Sequence, residues 1–90
     1  MSYSIELTER FEKELNKLDK YTRSIIIKWI DKNLEGCSDP RNKGKALTGN
    51  LKGLWRYRIG NYRLICQIND SKLVILAMTV GNRKDIYKRH

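Results

Sequence analysis

The chain has one proline, two cysteines and a single histidine, which is its last residue, His90. With so few candidate ligands, and no compact group of Asp and Glu, the spacing of a zinc or magnesium site is missing. Any catalysis is therefore expected to proceed without metal or cofactor. Cys37 lies in a polar stretch and Cys66 in a strand-like one, and both are expected to be structural thiols, since disulfides are rare in a reducing cytosol. No apolar run approaches the ~18 residues of a membrane span, and the polar start Met1-Ser2-Tyr3-Ser4 lacks the apolar stretch of a signal peptide. The expected location is the cytoplasm. Neither repeats nor low-complexity linkers divide the sequence. At 90 residues, with 40% hydrophobic and 32% charged, it is long enough for one core and too short for two, so a single domain over residues 1–90 is expected.

Acidic residues are scarce in one half only. Residues 1–40 hold 7 Lys/Arg against 8 Asp/Glu, a balance of −1, whereas residues 41–90 hold 12 against 2, a balance of +10, within a total of +9. Self-repulsion opposes such segregation unless a polyanion benefits from it, and nucleic acid, ribosomal RNA included, is the commonest polyanion.

Residues 2–7 alternate polar and apolar, with Tyr3, Ile5 and Leu7 on one side, the period of a half-buried strand. Thr8 offers an N-cap with Glu9 and Glu12 in the first turn, and Phe11, Leu15 and Leu18 follow at helical spacing, so a helix is expected to about Leu18. Asp19 can cap a second helix in which Ile26, Ile30 and Leu34 repeat, flanked by Tyr21, Ile25 and Trp29, until Gly36 stops it. From Cys37 to Asn50 the composition shifts to Gly, Pro, Asn, Ser and Lys, and residues 37–45 read as a surface loop. Three strand-like runs follow, at 54–59, 62–68 and 72–80. The expected fold is α+β in the order β-α-α-β-β-β, a helical hairpin covering one face of a small antiparallel sheet and leaving the other face for function.

Gly60-Asn61 suits a two-residue hairpin turn of type II′, and that turn sets a register. Ile59 then opposes Tyr62, Arg58 opposes Arg63, Tyr57 opposes Leu64, Arg56 opposes Ile65 and Trp55 opposes Cys66. Because opposed residues share a face, Trp55, Tyr57, Ile59, Tyr62, Leu64 and Cys66 line the core side, while Arg56, Arg58 and Arg63 share the other. Like charges ~4 Å apart repel by about 1 kcal/mol in water and about 4 kcal/mol at an effective dielectric of 20. No acid in the hairpin relieves this, whereas a phosphate would, through the match of guanidinium forks to its oxygens. A turn at Gly81-Asn82 would bring Arg83 and Tyr87 back beside the sheet, adding a cation and a ring on which an unstacked RNA base can lie.

Taken together, Leu47-Thr48-Gly49, the Arg56-Tyr57-Arg58 strand, Gly60-Asn61-Tyr62-Arg63 and the closing Val80-Gly81-Asn82-Arg83-Lys84-Asp85-Ile86-Tyr87 resemble the RelE-type toxins of the RelE/ParE superfamily, over nearly the whole chain. The resemblance implies the toxin of a type II toxin–antitoxin system, which enters the ribosomal A site and cleaves the codon there. In that chemistry the RNA's own 2′-hydroxyl attacks the adjacent phosphate and leaves a 2′,3′-cyclic product. The resemblance also assigns roles: Arg56 and Arg58 to two basic strand positions that are often lysines, Arg63 to phosphate binding, Arg83 to the leaving 5′ oxygen and Tyr87 to stacking. Lys45, Lys52, Lys84 and Lys88 are added as RNA-binding cations. Arginine, with a pKa above about 12, is a poor base at the position of Arg58, and Lys45 stands near the place where some relatives carry a glutamate. The implied partners are the ribosome with its 16S rRNA, the message, and a cognate antitoxin whose acids neutralise the basic face. Two other functions suit the same scaffold: a ParE-like poison of DNA gyrase and a non-catalytic RNA-binding module.

Overall fold

The computed structural model describes residues 1–86. Strand β1 (Ser4–Leu7) leads into helices α1 (Glu9–Asn16) and α2 (Lys20–Asn33), followed by β2 (Lys45–Ala46), a 3-10 turn at Gly49–Leu51, and strands β3 (Leu54–Ile59), β4 (Tyr62–Asn69) and β5 (Val74–Asn82). Both helix caps lie where the sequence puts them. The Thr8 side chain accepts a hydrogen bond from the Phe11 N–H at 3.1 Å, and Asp19 accepts one from the Thr22 N–H at 3.0 Å, each satisfying a donor that the first helical turn leaves open. Helix α1 stops at Asn16, short of Leu18. Gly36, just past α2, adopts φ +77°, the left-handed conformation that ends a helix at little cost.

The sheet corrects the expected antiparallel arrangement in two respects. It has five strands in the order β1-β5-β4-β3-β2, and β1 runs parallel to β5, Ser4 beside Val74 through Leu7 beside Ala77. The helical hairpin is the crossover that a parallel pairing requires. The fifth strand, β2, begins at the last residue of the expected surface loop, with Lys45 opposite Arg56 and Ala46 opposite Trp55. At the other end of the chain β5 starts later than expected, at Val74 after Leu73 at φ 55°, and continues through Gly81 and Asn82. The turn therefore comes after Asn82. Within the β4–β5 ladder Cys66 opposes Ala77 but Ile65 opposes Thr79, so Met78 is the extra residue of a β-bulge.

The core lies between the helices and one sheet face, joining Phe11 and Leu15 of α1 and Ile26 and Ile30 of α2 to Tyr57, Ile59, Leu64, Cys66, Ile75, Ala77 and Val80. The expected flanking residues of α2 divide. Trp29 reaches the core and tilts against the Tyr57 ring, centroids 5.7 Å apart, whereas Tyr21 and Ile25 are 75% and 42% exposed. Tyr57 is fully buried, its hydroxyl donates to the Pro40 carbonyl, and its ring lies so close to Gly44 that an added Cβ would meet Cε1 at 2.8 Å. This contact seats the loop that leads into β2.

Polar ties complete the framework. The Glu14 carboxylate, on α1, accepts from the Thr79 hydroxyl and from the Val80 N–H at 3.1 Å, which holds the helix to β5 where β1 has ended. Asp70 accepts both Arg41 Nη1 and Nη2, at 3.0 and 2.9 Å, and the Tyr3 hydroxyl at 2.6 Å, linking the β4–β5 turn to the 37–44 loop and the N-terminal segment. Hydrogen bonds from Arg41 and then Tyr3 hold the Asp70 carboxyl below the ordinary carboxylate range. A depressed carboxyl pKa stabilises the fold above the unfolded pKa, and the contribution is lost as the pH falls through the folded value. In an NMR titration Asp70 should therefore protonate at a lower pH than a free aspartate and move back toward it in Arg41→Ala. An unmoved titration in that variant would show that Arg41 does not set it.

Candidate nucleic-acid interface

The register inferred from the Gly60-Asn61 turn is the register of the structure: Ile59–Tyr62, Arg58–Arg63, Tyr57–Leu64, Arg56–Ile65 and Trp55–Cys66. Gly60 has φ +60° and Asn61 does not share a positive φ, as a type II′ turn requires. Strand alternation then places Tyr57, Ile59, Leu64 and Cys66 in the core and leaves Arg56, Arg58 and Arg63 on the face away from the helices.

The short β2 adds a cation to that face. Lys45 opposes Arg56 directly, so the two share a side, and the exposed Lys45 extends the row Lys45–Arg56–Ile65–Thr79. The next row is Arg58–Arg63–Gly81. Neighbouring rows are about 6.6–7 Å apart along the strands. Arg83 follows at the corner of the site: its backbone N–H donates to the Asn61 carbonyl at 2.8 Å, holding the residue beside the β3–β4 turn with its side chain exposed. Lys84 is exposed next to it, its N–H bonded to Asn82 Oδ1. Lys52 is exposed but stands before β3, at the end remote from the Gly60 turn, and is not brought into the cluster. Tyr87 and Lys88 lie outside the described residues, as does His90.

The arginines differ in their surroundings. Arg58 is exposed. Arg56 is half-buried, and its Nε is enclosed with no hydrogen-bond partner among the described residues. Arg63 is only 8% exposed, and its Nη1 donates to the carbonyls of Gly60 and Tyr62, both at 3.0 Å. The expected repulsion between Arg58 and Arg63 is thus eased within the chain by carbonyl dipoles at the turn, which alternation and turn type do not reveal. Among the described residues Arg56, Arg58 and Arg83 enter no ion pair. The face is also less bare than the sequence suggests. Ile65, in the middle of the cationic rows, is fully buried, and so is Ile86 after β5, although neither joins the main core.

Chemically, this surface offers fixed positive charge and guanidinium donors over two strand rows, with a donor at one corner. Such a surface suits a phosphodiester with its neighbouring oxygens rather than a single small anion.

Residues 5–87 match the family described as the ParE toxin of the type II toxin-antitoxin system parDE. The chain is 29% identical over 89 residues to Toxin RelG of Mycobacterium tuberculosis, covering 99% of this chain and 100% of that protein. It is 31% identical over 84 residues to the mRNA interferase toxin RelE of Escherichia coli, covering 93% and 86%. Among solved structures it superposes on a chain of the RelBE2 toxin-antitoxin complex of Mycobacterium tuberculosis with a TM-score of 0.84 at 26% identity, over 94% of this chain and 95% of that one. A free double mutant of Escherichia coli RelE gives a TM-score of 0.75 at 27% identity, over 97% and 90%. By sequence over nearly its whole length and by fold, the chain belongs to the RelE/ParE family of type II toxin–antitoxin toxins.

Proposed function

We propose that this toxin is a metal-independent endoribonuclease that cleaves messenger RNA in the A site of the ribosome. The observation that carries the reading is the pair of cationic rows, in which Lys45, Arg56, Arg58 and Arg63 share the sheet face away from the helices. The similarity to proteins named mRNA interferase supports it.

In the proposed reaction the 2′-hydroxyl of the substrate attacks the adjacent phosphorus, the P–O5′ bond breaks, and the products carry a 2′,3′-cyclic phosphate and a 5′-hydroxyl. Arg56, Arg58 and Arg63 hold the non-bridging oxygens as negative charge builds on them. Arg83 donates to the leaving 5′ oxygen, and Tyr87 stacks on a base and orients it. Guanidinium groups stay protonated at neutral pH, so these residues work by charge and alignment. Preorganised donors of this kind contribute about 3 to 4 kcal/mol each to the transition state. Lys45, Lys52, Lys84 and Lys88 add contacts to RNA backbone.

We further propose that a cognate antitoxin covers this face in the resting complex. Solved relatives include complexes of the toxin with its antitoxin, among them the archaeal RelE-RelB complex of Pyrococcus horikoshii. A segment rich in acids would be drawn to the +10 half of the chain.

The matched family carries the ParE description, and this keeps inhibition of DNA gyrase as the second reading. Primer extension on cellular mRNA after induction separates the two. The nuclease produces new 5′ ends inside reading frames within minutes, whereas intact messages together with arrested DNA replication would support the gyrase reading instead.

A further inference from the structure

Beyond the cations, the same sheet face changes character. The row after Arg56–Ile65 is Leu54–Gln67–Leu76–Glu6, and the one after that contains Asn69, Val74 and Ser4. Here Glu6, Gln67, Asn69, Lys72, Val74 and Leu76 line a groove of about 230 Å³. Val74 and Leu76 are half-buried and supply an apolar surface, while Gln67 is exposed. The Gln67 side chain has no hydrogen-bond partner among the described residues. Asn69 Oδ1 accepts from the Ser71 hydroxyl at 2.8 Å and from the Lys72 N–H at 3.2 Å, which anchors its amide and leaves the Nδ2 donors uncommitted.

We propose that this groove is a base-reading subsite of the RNA face. It takes the base of a neighbouring nucleotide on the strand whose phosphate sits on the Arg58–Arg63 row, and so it rests on the RNA-cleavage reading above. The base lies against Val74 and Leu76, and Gln67 reads its edge with one acceptor and two donors. Asn69 Nδ2 offers further donors, and Glu6 can accept from an exocyclic amino group.

Three features favour a base here. Gln67 lies two same-face steps along β4 from Arg63, about 13 Å at the strand rise, with Arg56 in the row between, so an extended strand can pass from phosphate to groove over continuous cationic surface. The groove has no arginine, and its one cation, Lys72, is offset by the Glu6 carboxylate, so it lacks the net positive charge that the arginine rows offer a phosphate. An apolar side chain from a protein partner would fill the aliphatic floor but leave the Gln67 amide covered and unpaired. An amide beside an apolar surface instead matches a flat base with a polar edge.

The test compares cleavage by the full chain on ribosomes programmed with a set of A-site codons and their flanking nucleotides, for the parent, Gln67→Leu and Gln67→Glu. The subsite predicts that the ratio between the most and least favoured sequences falls about tenfold in Gln67→Leu, the discrimination of one good amide–base pair. It also predicts that Gln67→Glu, which replaces donors with acceptors, favours different bases. An unchanged ratio in both variants overturns the subsite, as does an equal loss at every sequence. An unchanged ratio with a weaker complex with co-expressed antitoxin assigns the groove to a protein partner, which also overturns it. If the parent chain itself cuts no message, the nuclease reading falls first and the subsite with it. A parent that cuts, with variants of unaltered preference, removes the subsite alone.

Discussion

Replacing Arg63 with alanine is expected to slow cleavage of ribosome-bound message by about 10²- to 10³-fold, the loss that follows removal of one preorganised donor from developing charge. Arg63 is suited to the role because its guanidinium is already placed: Nη1 is spent on the carbonyls of Gly60 and Tyr62. Little side-chain entropy remains to be lost when substrate arrives, and the charge stays at the edge of the turn beside Arg58. Gly60 is exposed, so water can replace the guanidinium at its carbonyl, but the variant loses two charge-assisted hydrogen bonds, each worth about 1.5 to 3 kcal/mol, and a melting temperature below the parent's is expected. Arg63→Lys keeps the charge but loses the planar fork, and an intermediate rate is expected. Single-turnover cleavage rates, with a thermal melt of each variant, check the pair of effects. A rate within tenfold of the parent for a folded Arg63→Ala would remove this residue from the site.

The largest effect on stability is expected at Phe11, which is fully buried where α1 meets the sheet. Phe11→Ala removes an aromatic ring from a packed core and leaves a cavity, at a cost of about 3 to 5 kcal/mol. The whole stability of a protein this size is on the order of 5 to 14 kcal/mol, so the loss is a large fraction of it. In a small domain each kcal/mol lowers the melting temperature by about 4 to 8 °C, which puts the expected drop at roughly 12 °C or more. Ile25→Ala is the control. Ile25 sits on the same hairpin and is also strongly apolar, yet it is 42% exposed, and its truncation should cost under about 1 kcal/mol. Denaturant melts of both variants decide the point. Similar losses at the two positions would mean that the helices are packed differently.

How much could be read in advance depended on how far apart in the chain the interacting groups lie. The β3–β4 pairing was legible because it is local: one glycine at φ +60° sets the turn, and a side-chain period of two then assigns every residue from Trp55 to Cys66 to a face. The caps at Thr8 and Asp19 were legible for the same reason, since a cap acts within three residues. The parallel pairing of Ser4 with Val74 was not, because nothing in either segment names a partner that far along the chain. The two-residue β2 carries too little pattern to stand out from a loop, and only its pairing with β3 shows Lys45 on the arginine face.

The candidate site divides in the same way. Alternation placed Arg56, Arg58 and Arg63 on one side, but it could not show the Arg63 guanidinium turned onto the hairpin carbonyls, which is a choice of rotamer. Nor did it show Ile65 buried among the cations, because an apolar residue on a face assigned to solvent has no partner visible in the local pattern. Nothing in the sequence marked Glu14, because its partners Thr79 and Val80 lie far along the chain and meet α1 only where β1 has ended.

The most direct test of the central claim is to incubate the purified toxin with ribosomes programmed with a defined message, and in parallel with the same RNA free in solution, in the presence of a metal chelator. Cut positions and end chemistry are then mapped. Cleavage within the A-site codon, on the ribosome and not on free RNA, leaving a 2′,3′-cyclic phosphate and a 5′-hydroxyl, is the predicted result. Message left intact on the ribosome, or ends that carry a 5′-phosphate and disappear with the chelator, would contradict it.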